Sequence, residues 1–195
     1  MENQKIILAS KSPYRKELLE KLQLDFECHS ADVDERALTA EISNPLEVAE
    51  TLAMAKAKAV FNLDPNSIVI GSDQVVFLED KIFHQPGSVE KAISQLKELR
   101  GKTHGLITSV CLMSHQKTVS FYHQTQLTVR SDLTDEQIQH YVETERPLNC
   151  AGSYMIENLG ISLFESVETT DFTSIIGLPL IQLTKHLKEF GIQVP

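Results

Sequence analysis

The chain is poor in cysteine, and its thiols are badly placed for metal or disulfide chemistry. Cys28, Cys111 and Cys150 are odd in number and widely spaced, and they form no C-x-x-C pair. This spacing argues against a zinc site and against a disulfide framework. The histidines show no H-E-x-x-H spacing, so no bound transition metal is indicated. We expect reduced thiols and a cytoplasmic location.

Long apolar runs are also absent. No segment approaches the ~18 consecutive apolar residues that a membrane-spanning helix needs. The start, Met1–Lys5, is not a basic stretch followed by a long apolar one, so we expect no signal peptide. The chain lacks G-x-S-x-G and G-x-x-x-x-G-K-[ST], so the sequence supports neither an α/β-hydrolase nor a P-loop enzyme.

Positive charge is scarce. The net charge is −9, from 18 basic and 27 acidic residues. A broad surface for nucleic acid is therefore not expected. If the ligand is itself a polyanion, a few cations, backbone N–H groups and a divalent metal must overcome the acidic total locally.

What remains is the composition of an ordinary globular protein. The chain has 195 residues, of which 42% are hydrophobic and 23% are charged, which is enough to bury a core. Strand-like and helix-like segments alternate, and this predicts an α/β fold with a mixed sheet. No linker is evident, so we predict a single domain over residues 1–195 with two lobes.

The apolar pattern and the capping residues locate the elements. Predicted strands are Lys5–Ala9, Asp25–Ser30, Ser67–Gly71, Val75–Phe83 with a turn near Glu79 and Asp80, and a hairpin of Thr103–Ser114 with Thr118–Arg130. Predicted helices begin at about Pro13 and after Asn44, and cover Ser88–Arg100, Thr134 to about Glu145, and Pro179–Phe190.

A group of hydrogen-bond donors follows the first predicted strand. Ser10, Lys11, Ser12 and Arg15 lie at the start of a helix, where free N–H groups and the positive end of the helix dipole favour anions. The segment could hold phosphate. A serine cap followed by a solvated basic face explains the same residues, and composition alone favours that interpretation.

Asp73 and two pairs of charged residues could also carry chemistry. Asp73 directly follows a buried strand run, where α/β proteins place ligand chemistry, and it could bind a metal or act as a general base. An ordinary turn aspartate fits equally well. Asp34 and Glu35 by themselves suggest a solvated loop. Lys56 and Lys58 by themselves suggest a helix face with exposed ammonium groups.

Taken in order, these segments resemble the Maf family of nucleoside triphosphate pyrophosphatases. The matching pieces cover nearly the whole chain, and their order and spacing make a chance match unlikely. They are Leu8-Ala9-Ser10-x-Ser12-Pro13-x-Arg15-x-Glu17-Leu18-Leu19, Asp34-Glu35, Ala55-Lys56-Ala57-x-Ala59, Gly71-Ser72-Asp73-Gln74, Gly101-x-x-His104, Cys150-Ala151-Gly152-Ser153 and Gly177-Leu178-Pro179-Leu180.

The resemblance implies an elongated α/β fold similar to inosine triphosphatases, with a mixed twisted sheet and a central cleft between two lobes. It implies hydrolysis of a nucleotide between its α and β phosphates, helped by a divalent cation, Mg²⁺ or Mn²⁺. The expected partner is this small-molecule substrate, without nucleic acid or membrane. The oligomeric state stays open, a homodimer included.

The resemblance also assigns roles to individual residues. The phosphate-binding residues would be Ser10, Ser12, Arg15 and Lys56. The residues facing the metal and the attacking water would be Glu35 and Asp73, with Asp73 as the best candidate for the proton acceptor. The residues at the family's specificity positions are Tyr14, Gln74 and Glu157.

Two features favour one branch of the family. Gln74 and the segment Cys150–Ser153 are similar to the branch that acts on 7-methyl-GTP. The branch that acts on dTTP and UTP typically shows Gly-Ala-Asp-Thr where this chain has Gly71-Ser72-Asp73-Gln74. A dTTP/UTP pyrophosphatase is the alternative within the family. The alternative from another functional class is a nucleotide-binding regulator of septum formation with little catalysis.

The chain departs from the family at one place. Gly-Lys-Pro is usual after the predicted hairpin, and here the segment reads His84-Gln85-Pro86. The missing lysine would have been a catalytic cation, although Lys81 or Lys11 could compensate. We expect Gln85→Lys to raise kcat/KM, because a cation stabilises developing phosphate charge better than an amide does. An unchanged or lower rate in steady-state kinetics would mean that another group already fills this role.

Overall fold

A computed structural model describes residues 4–194 of the chain. Its strands are β1 (Ile6–Leu8), β2 (Phe26–Cys28), β3 (Ile68–Leu78), β4 (Lys81–Phe83), β5 (Thr103–Met113), β6 (Thr118–Val129) and β7 (Phe164–Glu168). Its α-helices are α1 (Pro13–Glu20), α2 (Glu35–Thr39), α3 (Pro45–Phe61), α4 (Val89–Leu99), α5 (Asp135–Glu145), α6 (Thr173–Ile176) and α7 (Leu180–Glu189), and two 3₁₀ helices cover Ala151–Ser153 and Leu159–Leu163.

The strands of the described chain form one seven-stranded mixed sheet. Its order is β2-β1-β3-β5-β6-β7, and β4 pairs with β3 beside this path. β1 runs parallel to both β2 and β3, with Ile6 opposite Ile68. β4 is antiparallel to β3, and β7 is antiparallel to β6. The predicted α/β class with a mixed sheet is confirmed.

The helix starts follow the capping residues that the sequence shows. Asn44 accepts hydrogen bonds from the N–H groups of Leu46 and Glu47, at 2.9 and 3.2 Å, and α3 begins at the next residue. Thr134 and Gln137 form a reciprocal capping box at the start of α5. These side chains satisfy N–H groups that have no partner within the helix, so the start of each helix is a local property of its sequence.

The end of the third strand was predicted wrongly. We expected a strand over Ser67–Gly71 and a break before Asp73, whereas β3 is continuous from Ile68 to Leu78 and contains Asp73. Polar residues suggested an end to the strand. Their side chains instead find partners on neighbouring elements, so nothing forces the backbone out of the sheet.

Alternation along β3 gives the strand two different faces. Ile68 and Ile70 pack in an apolar cluster with residues of α1 and α7, whereas Val69 packs with Ala53 and Ala57 of α3. Successive side chains of a strand point to opposite faces. The same alternation therefore continues into the polar part of β3 and assigns its side chains to one helix layer or the other.

The chain divides into two compact units. The first contains the chain up to Gln74, Thr108–His123 and the segment from Asp171 onward, and the second contains Val75–Ile107 and Gln124–Thr170. The organisation of residues 1–195 as one domain with a cleft between two lobes stays a prediction. Within residues 4–194, no helix is long and apolar enough to cross a membrane.

In the second unit, His104 belongs to the core. Its Nε2 lies 3.0 Å from the hydroxyl of Tyr154, and its ring packs near Phe164 at a centroid distance of 6.1 Å. Burial lowers the pKa of His104 to about 4, so the imidazole is neutral at physiological pH. The neutral ring thus makes one hydrogen bond in this unit, while its buried Nδ1 has no hydrogen-bond partner among the described residues.

Candidate active site

Three charged side chains of the first unit meet at one point. The ammonium of Lys56 lies 2.6 Å from Asp73 Oδ1 and 2.7 Å from Glu35 Oε1. The Lys56 and Asp73 side chains are only 13% and 11% exposed, whereas Glu35 is 52% exposed. One lysine therefore bridges a buried carboxylate and a half-exposed one.

Each of these side chains is placed by its own element. Asp73 occupies the face of β3 that packs on α3, where Lys56 projects. Gly71, two residues earlier on the same face, allows this close approach, since a Cβ there would lie 2.6 Å from the backbone nitrogen of Ala57. Glu35 opens α2, and the preceding Asp34 caps that helix by accepting a hydrogen bond from the Ala37 N–H at 3.1 Å.

This placement corrects two interpretations based on the sequence alone. The segment around Asp34 and Glu35 is a capped helix start, not a solvated loop. Lys56 makes two buried or half-buried ion pairs, whereas Lys58 lies exposed on the helix surface. Two lysines separated by two positions lie on different faces of an α-helix, so only one of them can reach the carboxylates.

The environment of Asp73 shifts its protonation. Burial raises the pKa of the Asp73 carboxyl above its ordinary value, and the charges of Lys56 and Arg15 oppose this rise. A carboxylate with a raised pKa is a stronger base than one in water. The raised pKa thus makes the Asp73 carboxylate a better proton acceptor than an ordinary carboxylate.

Arg15 adds a second cation to this unit. Burial lowers the pKa of its guanidinium, while Asp73 and Glu35 oppose the shift, and an arginine stays charged at physiological pH. Its Nε donates to the carbonyl of Gly177 at 3.2 Å. That bond fixes the plane of the guanidinium and leaves its two terminal NH₂ groups as further donors.

The two serines before α1 form a small capping structure. The Ser12 N–H donates to Ser10 Oγ at 3.1 Å, and Ser12 Oγ accepts from the Arg15 N–H at 3.4 Å. The cap predicted from Ser12 and Pro13 is present. Capping does not consume the hydroxyl protons, so both serines keep a donor for an anion.

Ser72 and Gln74 occupy the other face of β3. Ser72 Oγ donates to the Gly177 carbonyl at 3.0 Å. Gln74 Nε2 lies 3.0 Å from Thr108 Oγ1, 3.0 Å from the Ser174 carbonyl and 2.8 Å from the Ile175 carbonyl. The amide of Gln74 is therefore bound to protein groups of the first unit.

The remaining predicted positions are divided between the two units. Tyr14 is half-buried on α1 in the first unit. Glu157 is exposed in a turn of the second unit. Gln85 is exposed after β4 in that unit, where Lys81 pairs with Glu98 at 2.7 Å. Lys11 is exposed before α1.

Sequence reasoning missed two residues of the segment that contains Gly177, the carbonyl partner of Arg15. Gly177 was noted only as part of a motif, yet its carbonyl accepts from both Arg15 and Ser72. Asp171 was not noted at all, although its carboxylate accepts from the N–H groups of Thr173 and Ile181 at 3.0 and 2.8 Å. The segment Gly177-Leu178-Pro179 was the available signal, because glycine and proline mark a turn with a special backbone.

Comparison with known proteins decides the family. A family model described as Maf-like protein matches residues 5–190. The chain belongs to the Maf family. The resemblance inferred from motif order is thereby confirmed over nearly the full length of this Maf chain.

Two named relatives are similar to this Maf chain over nearly its whole length. A protein of Pseudomonas aeruginosa named 7-methyl-GTP pyrophosphatase is 43% identical over 200 residues, covering 97% of this chain and 98% of the relative. A protein of Aromatoleum aromaticum with the same name is 42% identical over 196 residues, covering 100% of both chains. A solved structure of a HAM1 protein from Coxiella burnetii is a looser likeness, 13% identical with a TM-score of 0.48 over 95% of this chain and 99% of that one.

The carboxylates fit the divalent cation that the resemblance implies. Within residues 4–194, no group of three or more histidine, cysteine or acidic side chains could hold a metal by itself. Mg²⁺ is commonly held by one or two carboxylates, with water and substrate phosphates completing its shell. Glu35 and Asp73 supply two carboxylates, and Lys56 contacts one oxygen of each, Glu35 Oε1 and Asp73 Oδ1, which leaves the second oxygen of each carboxylate for a cation. They are the residues of this chain that would hold the cation.

Proposed function

We propose that this Maf protein hydrolyses 7-methyl-GTP to 7-methyl-GMP and pyrophosphate. The observation that carries the chemistry is the buried Asp73 carboxylate, whose pKa is raised and which lies 2.6 Å from Lys56. The substrate is supported by the names of relatives that share 42–43% of their residues with this chain. Gln74 and Cys150–Ser153 support the same branch of the family.

In the proposed reaction, water attacks the α-phosphorus of the nucleotide. Asp73, in its ionised form, accepts the proton of that water, and the bond from the α-phosphorus to the bridging oxygen breaks. Lys56 and Arg15 hold phosphate oxygens as charge shifts onto the departing pyrophosphate. The Ser10 and Ser12 hydroxyls donate to the same phosphate chain.

A divalent cation, Mg²⁺ or Mn²⁺, belongs to this proposal. Bound by Glu35 and Asp73, it would neutralise phosphate charge as the reaction proceeds. The protein's own part is to hold two carboxylates close to the cations Lys56 and Arg15. This balance of two negative and two positive side chains lets an acidic protein accept a polyanion locally.

The base of the substrate is recognised by different chemistry. Guanine presents two neighbouring N–H donors, at N1 and N2, and the Glu157 carboxylate is proposed to accept both. Methylation at N7 puts positive charge on the ring, which makes those donors more acidic. It also strengthens stacking on an aromatic face, for which Tyr14 is the candidate, by roughly 0.5–2 kcal/mol.

The test is kcat/KM for 7-methyl-GTP, GTP, dTTP and UTP. We expect 7-methyl-GTP to be preferred, because uracil and thymine would present carbonyl oxygens to the Glu157 carboxylate. Glu157→Gln should reduce the preference, and Glu165→Gln, an exposed substitution of the same kind on β7, should not. Equal rates on 7-methyl-GTP and UTP in the wild type would refute the specificity, whereas an unchanged preference in Glu157→Gln would refute only the role of Glu157.

The alternatives are outcomes of the same panel. A preference for dTTP and UTP would identify the other branch of the family. Binding of nucleotides without turnover would favour a regulator of septum formation. The cytoplasmic location and a homodimer stay predictions from the sequence.

A further inference from the structure

We infer that Asp171 is a positioning residue for Arg15, because its carboxylate fixes the turn between α6 and α7 whose Gly177 carbonyl orients the guanidinium. The inference concerns the first unit of the chain and rests on the proposed function, since it assigns Arg15 to phosphate. Asp171 is a buried residue, only 3% exposed, and acts through the turn. It would therefore influence how tightly every triphosphate binds, and not which base is preferred.

The Asp171 carboxylate joins the start of α6 to the start of α7. Its Oδ1 accepts from the Thr173 N–H at 3.0 Å and from the Thr173 hydroxyl at 2.6 Å. Its Oδ2 accepts from the N–H of Ile181, in the first turn of α7, at 2.8 Å. N–H groups at a helix start have no helical partner, and the helix dipole favours a negative charge there. One short side chain thus fixes the distance between the two helix starts.

The Thr173 hydroxyl makes the same connection a second time. It donates to Asp171 Oδ1 and accepts from the Leu180 N–H at 2.9 Å. Pro179, which precedes α7, makes no side-chain cap of its own. Asp171 and Thr173 therefore supply the acceptors that a capping side chain would otherwise provide.

The backbone of Thr173 carries this constraint into the turn. The Gly177 N–H donates to the carbonyls of Thr173 and Ser174, at 3.2 and 3.1 Å, and the Leu178 N–H donates to the Thr173 carbonyl at 3.3 Å. Gly177 has a φ of +133°, a backbone conformation that suits glycine. Thr173 thus binds Asp171 through its N–H and hydroxyl and the turn through its carbonyl, so a shift of Thr173 moves the turn.

The turn in its plane positions Arg15. The Gly177 carbonyl accepts from Arg15 Nε at 3.2 Å and from Ser72 Oγ at 3.0 Å. A Cβ on Gly177 would lie 3.1 Å from Arg15 Cγ, so the arginine stem lies directly against this turn. Any rotation of the Gly177 carbonyl therefore moves the acceptor that orients the guanidinium.

Apolar packing holds the same turn but cannot give the carbonyl its direction. Leu178 and Leu180 are buried in the apolar cluster that α7 shares with α1 and the sheet. Such packing is non-directional, whereas a hydrogen bond weakens steeply when its angle changes. The leucines thus keep the turn in the core, and the network of Asp171 and Thr173 sets the direction of the Gly177 carbonyl.

The experiment compares Asp171→Asn with Asp25→Asn, which changes an exposed carboxylate of the same unit. Asparagine keeps one acceptor oxygen and replaces the other with a donor, so one of the two helix starts loses its partner. We expect kcat/KM for 7-methyl-GTP, GTP and UTP to fall, and the inhibition constant of tripolyphosphate to rise, each by about tenfold in Asp171→Asn. Asp25→Asn should change neither. A changed ratio of 7-methyl-GTP to UTP with unchanged tripolyphosphate inhibition would overturn the inference.

Further variants separate positioning from a loss of stability. Thr173→Val removes the hydroxyl and should act like Asp171→Asn, whereas Thr173→Ser keeps the hydroxyl and should bind tripolyphosphate as the wild type does. Leu187→Ala leaves a cavity at the other end of α7 and should lower Tm without changing that binding. Equal weakening by Leu187→Ala and Asp171→Asn would overturn the inference, because a general loosening of α7 would explain both. If Asp171→Asn fails to fold, the two Thr173 variants decide the question.

A double-mutant cycle with Arg15→Met tests the route of the effect. In that background we expect Asp171→Asn to weaken tripolyphosphate binding by less than about twofold, since the guanidinium that it positions is already gone. Full additivity of the two substitutions would mean that Asp171 acts on phosphate by some other route, and the inference would be wrong.

The design separates this inference from the proposed function. If the wild type does not hydrolyse 7-methyl-GTP, the proposed function fails. Calorimetric titration with tripolyphosphate in Mg²⁺ still measures the coupling between Asp171 and Arg15. Independent effects of the two substitutions, or no binding of tripolyphosphate to the wild type, would overturn the inference even in a fully active pyrophosphatase.

Discussion

Replacing Asp73 with asparagine is expected to lower kcat on 7-methyl-GTP by at least ~10²-fold while the protein stays folded. Asparagine has the shape of aspartate but cannot accept a proton from water, and it cannot offer an anionic oxygen to a cation. The loss should appear in kcat, because the group acts on the reacting water. Steady-state kinetics measure it directly.

Because the pKa of Asp73 is raised, we expect the substitution to lower activity without lowering stability. A buried carboxylate whose folded pKa lies above its unfolded value costs stability when it is ionised, that is, at pH values above that pKa. Asparagine is never ionised, so Tm at neutral pH should not fall markedly. Asp132→Asn, which removes an exposed carboxylate paired with Arg130, should retain full activity. A Asp73→Asn variant with kcat near that of the wild type would remove Asp73 from the mechanism.

Replacing Lys56 with methionine is expected to lower kcat/KM at neutral pH by roughly 10–100-fold, since a charge-assisted hydrogen bond to phosphate contributes about 1.5–3 kcal/mol. A second effect is expected in the pH profile. Among the charges near Asp73, that of Lys56 has the largest effect in lowering the Asp73 pKa against the effect of burial. Without it, that pKa rises further.

The direction of the pH effect follows from the role of the base. Asp73 works when ionised, so activity is lost as the pH falls through its pKa. The acidic limb of the kcat/KM profile should therefore move to higher pH in Lys56→Met, and Lys56→Arg should restore part of the wild-type profile by restoring the charge. Lys58→Met, an exposed change two residues away, is the matched control. A Lys56→Met profile that coincides with the wild type would show that Lys56 does not set the ionisation of the base.

Much of the fold could be predicted because its signals are local. The helices after Asn44 and Thr134 begin where their caps indicate, and β5 and β6 are sheet neighbours joined through the predicted turn, in which the Ser114 N–H donates to the Lys117 carbonyl. The elements that were missed are short or polar, namely α2, α6 and β7. Such segments are stabilised by neighbours, which a short stretch of sequence does not reveal.

The candidate site was predicted as a set of residues but not as a geometry. Motif order identified Asp73, Glu35 and Lys56, and the structure brings these three together. Motif order did not reveal that one lysine bridges both carboxylates. Nor did it reveal that Gln74 binds α6, because a glutamine in a motif has the same sequence signature whether it contacts a ligand or a carbonyl.

The sequence by itself determined the order and type of most elements and the family of this protein, because apolar periodicity, helix caps and motif order are properties of the chain alone. Only the tertiary structure decided that β3 continues through Asp73 and which helix each of its polar side chains meets. The physical reason is that a strand's faces acquire different partners from the helices packed on them. Lys56 lies 17 residues from Asp73, and Ser174 lies 100 residues from Gln74, so these partners meet only when the sheet is covered.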